Sequence, residues 1–207
     1  MKKILLLLTA AALLSSCEIP GFGEKSSTTS AEISKSKNNK IVFKNNKIVL
    51  SSNYELVSVE EFKNRLNALP KDSKFRGIAL DQLQEIEAKE TEFEVFADKN
   101  NVANHVFVYA TNFIVFDDYL AAKYVAKLNN ELKDESNKQE VRYKRIHGRY
   151  FFTNEAKVVK LKYVKAHKKE RRFQTEYTVA SKTGGMALLV SNVNGVDFEE
   201  NLKRFLN

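Results

Sequence analysis

The stretch Val141–Val190, VRYKRIHGRYFFTNEAKVVKLKYVKAHKKERRFQTEYTVASKTGGMALLV, decides the fold. Along it Val141/Tyr143, Val159/Leu161/Tyr163 and Phe173/Thr175/Tyr177/Val179 alternate with polar residues. A period of two places successive side chains on opposite faces and predicts strands. Gly148, Asn154, Lys168-Lys169 and Gly184-Gly185 punctuate the run and predict turns. Met186–Val190 is a short unbroken apolar segment and predicts one more strand. Strands joined by such short connections pair antiparallel, so this half of the chain reads as a meander.

The segments around the meander are mostly helical. Asp117 or Asp118 caps a helix in which Leu120, Tyr124, Val125, Leu128 and Leu132 recur at helical spacing, with Lys123 and Lys127 on the opposite side. After the meander, Asp197 with Glu200 has the capping-box spacing, and Phe198, Leu202 and Phe205 form the apolar stripe of a terminal helix. Before it, Ser58 and Glu61 have the same spacing and open a helix along Val59, Phe62, Leu66 and Leu69 that Pro70 ends. Ile78, Leu80, Leu83 and Ile86 predict a short helix within residues 71–90, Glu92–Phe96 a strand, and Asn100-Asn101 a turn. His105–Ala110 is nearly continuous in apolar residues, which suits a strand buried on both faces. The echo NNKIVF then NNKIVL, residues 38–43 and 45–50, predicts two short strands turning at Asn45-Asn46. The fold class is therefore α+β: an antiparallel meander sheet flanked by helices.

The N-terminus carries a different kind of signal. Met1-Lys2-Lys3 is basic, and Ile4–Leu14 is an apolar run of 11 residues broken only by Thr9. A helix needs about 20 residues to cross a bilayer, so the run reads as a secretory leader rather than a permanent span. Leu14-Ser15-Ser16-Cys17 follows, and Cys17 is the single cysteine. These four residues resemble the lipobox of bacterial lipoproteins. That resemblance implies a diacylglyceryl group on the Cys17 thiol, cleavage before it, and acylation of the new amine. It implies residues 1–16 as a signal peptide and Cys17 as the anchor to an envelope membrane, with several acyl chains holding stably. Glu18 at the next position, not Asp, favours an outer membrane facing the periplasm under the sorting rule of that family. Residues 17–40 read as lipidated Cys and polar tether, rich in Ser, Thr, Gly, Lys and Asn, and residues 41–207 as a single domain.

The order of elements also resembles the PsbP-like α/β/α sandwich, which occurs in bacterial lipoproteins of the DcrB type. The clearest segments are His105–Ala110, Asp118–Leu132, Val141–Val190 and Asp197–Leu206. The resemblance implies a non-catalytic binding or accessory role and transfers no functional residue.

Charge supplies the candidate binding residues. The chain carries +8, of which Lys2 and Lys3 leave with the leader. Between Lys138 and Arg172 there are 13 basic residues against Glu140, Glu155 and Glu170. By alternation Arg142, Lys144, Lys160, Lys162 and Arg172 fall opposite the aromatic positions and predict one basic sheet face for an anionic lipid or an acidic protein. Tyr143, Tyr150 and Tyr163 alternate as core residues do, so nucleic acid is not an expected partner. His105, His147 and His167 form no HxH or HxxxH pair, and no metal or cofactor is expected, although His147 and His167 are candidates for neighbours across the meander. No nucleophile or acid–base pair has diagnostic spacing, so the domain is not expected to be an enzyme. The alternatives are a small envelope hydrolase using carboxylates around Glu92–Asp98 or near His147, and a structural subunit of an envelope complex.

Overall fold

The computed structural model describes residues 38–44, 46–112 and 114–205. The lipobox, and the tether as far as residue 37, lie outside the described residues. In chain order the elements are β1 (Asn38–Phe43), β2 (Asn46–Ser51), β3 (Tyr54–Val57), α1 (Val59–Asn67), α2 (Lys74–Glu87), β4 (Phe93–Asp98), β5 (His105–Thr111), α3 (Asp118–Lys138), β6 (Arg142–Phe152), β7 (Ala156–His167), β8 (Glu170–Ser181), β9 (Gly184–Asn192) and α4 (Glu199–Phe205). β1 thus begins inside the stretch read as tether, and β3 has no counterpart in the sequence reading.

β3 to β9 form one seven-stranded sheet in the order β3-β4-β5-β9-β8-β7-β6, antiparallel at every pair, and β1-β2 form a separate ribbon. The expected α+β meander flanked by helices is what the chain adopts. Both faces of the sheet are covered. On one, Phe62 and Leu66 of α1 and Ala79, Leu83 and Ile86 of α2 pack on Val95, Phe107 and Leu189. Ala121 and Val125 of α3 pack beside them on Val159 and Ala180. On the other, Phe43, Ile48 and Leu50 of the ribbon and Phe198 and Leu202 at α4 pack on Val106, Val108, Val158, Tyr177 and Leu188. Apolar area removed from water on both faces is the main source of stability.

Local chemistry explains the ends. Ser58 Oγ accepts from the Glu61 amide at 3.1 Å and starts α1, while the Glu61 carboxylate pairs with Arg65 instead of closing the box. Asp117, not Asp118, caps α3 by accepting from the Leu120 amide at 2.7 Å. The short helix expected within residues 71–90 is α2, 14 residues long.

Three turn assignments change. Gly148 is not a turn: it lies within β6, just past a bulge between Arg145 and His147. A Cβ there would stand 2.6 Å from Val125 Cγ1 and 3.1 Å from Leu161 Cδ1, so this glycine lets α3 approach the sheet. Gly148→Ala is expected to lose about 1–3 kcal/mol by overpacking, read as a lowered urea midpoint, with Val125→Ala restoring part of it. The β8–β9 turn is Lys182-Thr183, and Gly184 follows it at φ +133°, a conformation that side chains with a Cβ rarely adopt. In the ribbon, Phe43 pairs with Asn46, so Asn46 opens β2 and Lys44, at φ +46°, belongs to the turn; Asn45 lies outside the described residues.

Candidate functional site

The basic block divides on folding. β7 is an inner strand covered on both sides, so Lys160, Lys162 and Lys165 along its middle have no route to solvent. Lys160 and Lys162 are 1% and 4% exposed. Lys160 Nζ donates to Glu199 Oε2 at 2.8 Å and to Asp197 Oδ2 at 3.0 Å. Lys162 Nζ donates to Asp197 Oδ2 at 3.3 Å and also to the Gly195 carbonyl. Glu199, itself buried, further accepts from Arg149 Nε at 2.9 Å and pairs with Lys203 at 2.8 Å. Burial raises the Glu199 carboxyl, but hydrogen bonds from Lys160, Lys203 and Arg149 outweigh it and hold the group down at about 2. Asp197 also lies below its usual value: burial raises it, and Lys160 and Lys162 more than compensate. Burial lowers Lys162. The Asp197–Glu200 capping box does not form. Asp197 Oδ1 accepts from the Glu199 amide at 3.2 Å while its other oxygen holds the lysines, and Glu200 pairs with Lys203.

Lys160 and Lys162 are therefore removed from the expected basic face, because carboxylates of the α4 segment neutralise them inside the protein. Arg172 leaves it for a different reason. In the β7–β8 register Tyr163 lies opposite Gln174 and Val164 opposite Phe173, so the aromatic positions of the two strands point to opposite faces. Arg172 consequently shares the helical side with Lys165, and its guanidinium sits 5.1 Å from the Phe75 ring of α2. Arg142 and Lys144 do lie exposed on the ribbon side, on β6. β6 is an outer strand of the sheet, and its exposed side chains include Arg142, Lys144, Arg145, Ile146 and Arg149.

The helical side holds groups that the sequence reading missed. Tyr163 Oη donates to Glu176 Oε1 at 3.0 Å on the adjacent strand. Lys165 Nζ reaches Glu135 of α3 at 2.8 Å and Gln139, which caps the end of that helix, at 3.0 Å. Burial pushes the Glu176 carboxyl up to about 7; the Tyr163 bond and Lys165 oppose the rise, and Glu135 and Glu131 add to it. In sequence Glu176 is only a polar position of an alternating strand, and no local signal marks it. The same side buries His105, whose Nδ1 lies 3.0 Å from the Val102 carbonyl. Burial brings this imidazole down to about 4.

The other candidates sit apart. Asp98 accepts from the Asn100 amide at 2.8 Å and from Asn104 Nδ2 at 3.3 Å, which secures the β4–β5 turn. Glu92 lies 3.9 Å from Lys44, and Glu94 is raised by burial and by Glu92. His147 pairs with Lys162, whereas His167 lies at the far end of β7 opposite Glu170, so the two histidines are not brought together. His147 is held down at about 4 by burial and by Lys160 and Lys162. Among the described residues no three His, Cys, Asp or Glu side chains gather to hold a metal ion, and no helix is long and apolar enough to cross a membrane.

No family model matches the chain, and no curated protein does. Among solved structures it is similar to the solution structure of cyanobacterial PsbP (CyanoP) from Synechocystis sp. PCC 6803. The identity is 10%, the alignment covers 89% of this chain and 93% of that one, and the TM-score is 0.48. The fold class rests on the strand order and registers of the chain itself.

Proposed function

We propose that the protein is a lipid-anchored, non-enzymatic module of the cell envelope, held by acyl chains on Cys17 at the outer membrane and facing the periplasm. It binds an anionic partner, an anionic lipid or an acidic protein, through the β6 edge. The observation that carries this reading is the division of the basic block. Lys160 and Lys162 are consumed by internal carboxylates, while Arg142, Lys144 and Arg145 stay exposed along one outer strand, and Arg149 beside them is committed to Glu199. Each cation near an anionic surface contributes about 1 kcal/mol, so the three exposed cations along the β6 edge supply a usable field.

Mass analysis of the protein from its native host is expected to find Cys17 acylated and residues 1–16 removed. Lys144→Glu with Arg145→Glu changes only exposed positions of β6. This double variant is expected to keep the thermal midpoint and to weaken sedimentation with anionic vesicles at least tenfold at low salt, an effect that high salt erases. Binding that is indifferent to both the reversal and the salt overturns the electrostatic part.

A further inference from the structure

Between the α1–α2 layer and the sheet lies a small internal cavity of about 10 Å³. Its apolar lining includes Leu66 and Phe75, and its polar lining is Gln82, His105, Arg172, Gln174 and Ser191. The strand registers explain the polar group. His105 on β5 and Gln174 on β8 both pair with Ser191 of β9, so the three side chains stand in one row across the sheet on the helical side. All three are buried, with His105 3% and Gln174 2% exposed.

Two valences in this row are open. His105 Nε2 and Gln174 Oε1 are sealed from solvent and meet no hydrogen-bond partner within the protein. His105 uses Nδ1 toward the Val102 carbonyl, which acts only as an acceptor, so that nitrogen carries the proton and Nε2 presents a lone pair. Gln174 donates its amide nitrogen to Gln82 Oε1 at 3.3 Å, so its own oxygen is likewise an acceptor. Leaving a buried polar atom unpaired costs about 1–3 kcal/mol, and the two residues that carry these atoms line the same cavity.

We infer that this cavity is a binding site for one internal water molecule that donates to both His105 Nε2 and Gln174 Oε1. The chemistry excludes other occupants. The space matches one water and nothing larger. Two acceptors need a molecule with two hydrogens to give, which rules out an anion. The neighbouring Arg172 guanidinium, also part of the lining, repels ammonium or a metal ion, and its charge acts on His105. The water keeps its own lone pairs for the guanidinium or the Ser191 hydroxyl, both part of the lining. Rotating the Gln82 and Gln174 amides together exchanges an orphaned acceptor for an orphaned donor, and a water satisfies that arrangement too. The site is then a hydrated joint between β5, β8 and α2, with Gln82 as the helix's contact to the row.

A high-resolution crystal structure of the full chain tests the site directly. One density peak is expected within about 2.7–3.2 Å of both His105 Nε2 and Gln174 Oε1. An empty cavity, or the Gln174 amide turned directly onto His105, overturns the inference. In solution, magnetisation transfer from water to the His105 ring is expected from a long-lived internal site, and its absence counts against one. The paired substitutions His105→Phe and Gln174→Met remove both acceptors and are expected to abolish peak and transfer together. If that variant does not fold, the unsubstituted chain still decides the matter by density and by transfer.

Discussion

Glu199→Gln is expected to destabilise the fold by about 3 kcal/mol. The carboxylate is 2% exposed and is shared by Lys160, Arg149 and Lys203. Removing its charge leaves Lys160 in the interior with Asp197, which Lys162 already uses. A buried ion pair contributes little against a well-packed apolar replacement, yet breaking one side strands the other charge. Lys160→Met in the Glu199→Gln background is therefore expected to recover most of the loss, because the stranded charge goes with it. Urea denaturation of the two single variants and the double measures the coupling. Strict additivity refutes the account. Because Glu199 opens α4, the same variants are also expected to loosen that helix, seen as faster amide exchange over residues 199–203.

The second large effect is a pH dependence with a defined sign. His105 stays neutral in the folded state down to about 4, whereas an unfolded histidine titrates near 6.5. Between those values the unfolded chain binds the extra proton, so the stability that His105 contributes is complete above about pH 6.5 and falls as the pH drops toward 4. The difference amounts to about 3 kcal/mol at the acid end. Glu176 acts in the opposite sense: its folded value of about 7 lies above the unfolded one, so its contribution is complete below the unfolded value and is lost as pH rises through 7. The unsubstituted chain shows only the sum of these and other groups. The clean measurement is the stability difference between it and His105→Gln, which is expected to shrink by about 3 kcal/mol from pH 7.5 to pH 4. For Glu176→Gln the difference is expected to shift the other way. A pH-independent difference for His105→Gln refutes the burial argument.

Periodicity made the architecture legible. The alternation around Tyr163 and Tyr177, the helical spacing from Leu120 to Leu132, and the caps at Ser58 and Asp117 each correspond to an element. Misreadings arose where a residue's role depends on a distant segment. Gly148 interrupts an alternating run and reads as a turn, but it answers to Val125 on a helix packed above it. β3 is only four residues long and has too little pattern to declare itself.

The candidate surface was half legible for the same reason. Alternation correctly places Arg142, Lys144, Lys160 and Lys162 on one face, since β6 and β7 pair in that register. It has no knowledge of what covers the face. The β7–β8 register sends Arg172 to the opposite side, and Asp197 and Glu199, more than 30 residues along the chain, bury two of the lysines. Glu176 and His105 are the converse: ordinary residues in the sequence, and perturbed by burial only once the helices close over the sheet.

The sequence by itself determined the meander, its flanking helices and the resemblance of Leu14–Cys17 to a lipobox, because local periodicity and short motifs need no partner to be read. Only the tertiary structure decided which charges reach solvent and which are neutralised within. Exposure and ionisation are set by the segments that pack against a side chain, and in this chain those segments lie far away in sequence.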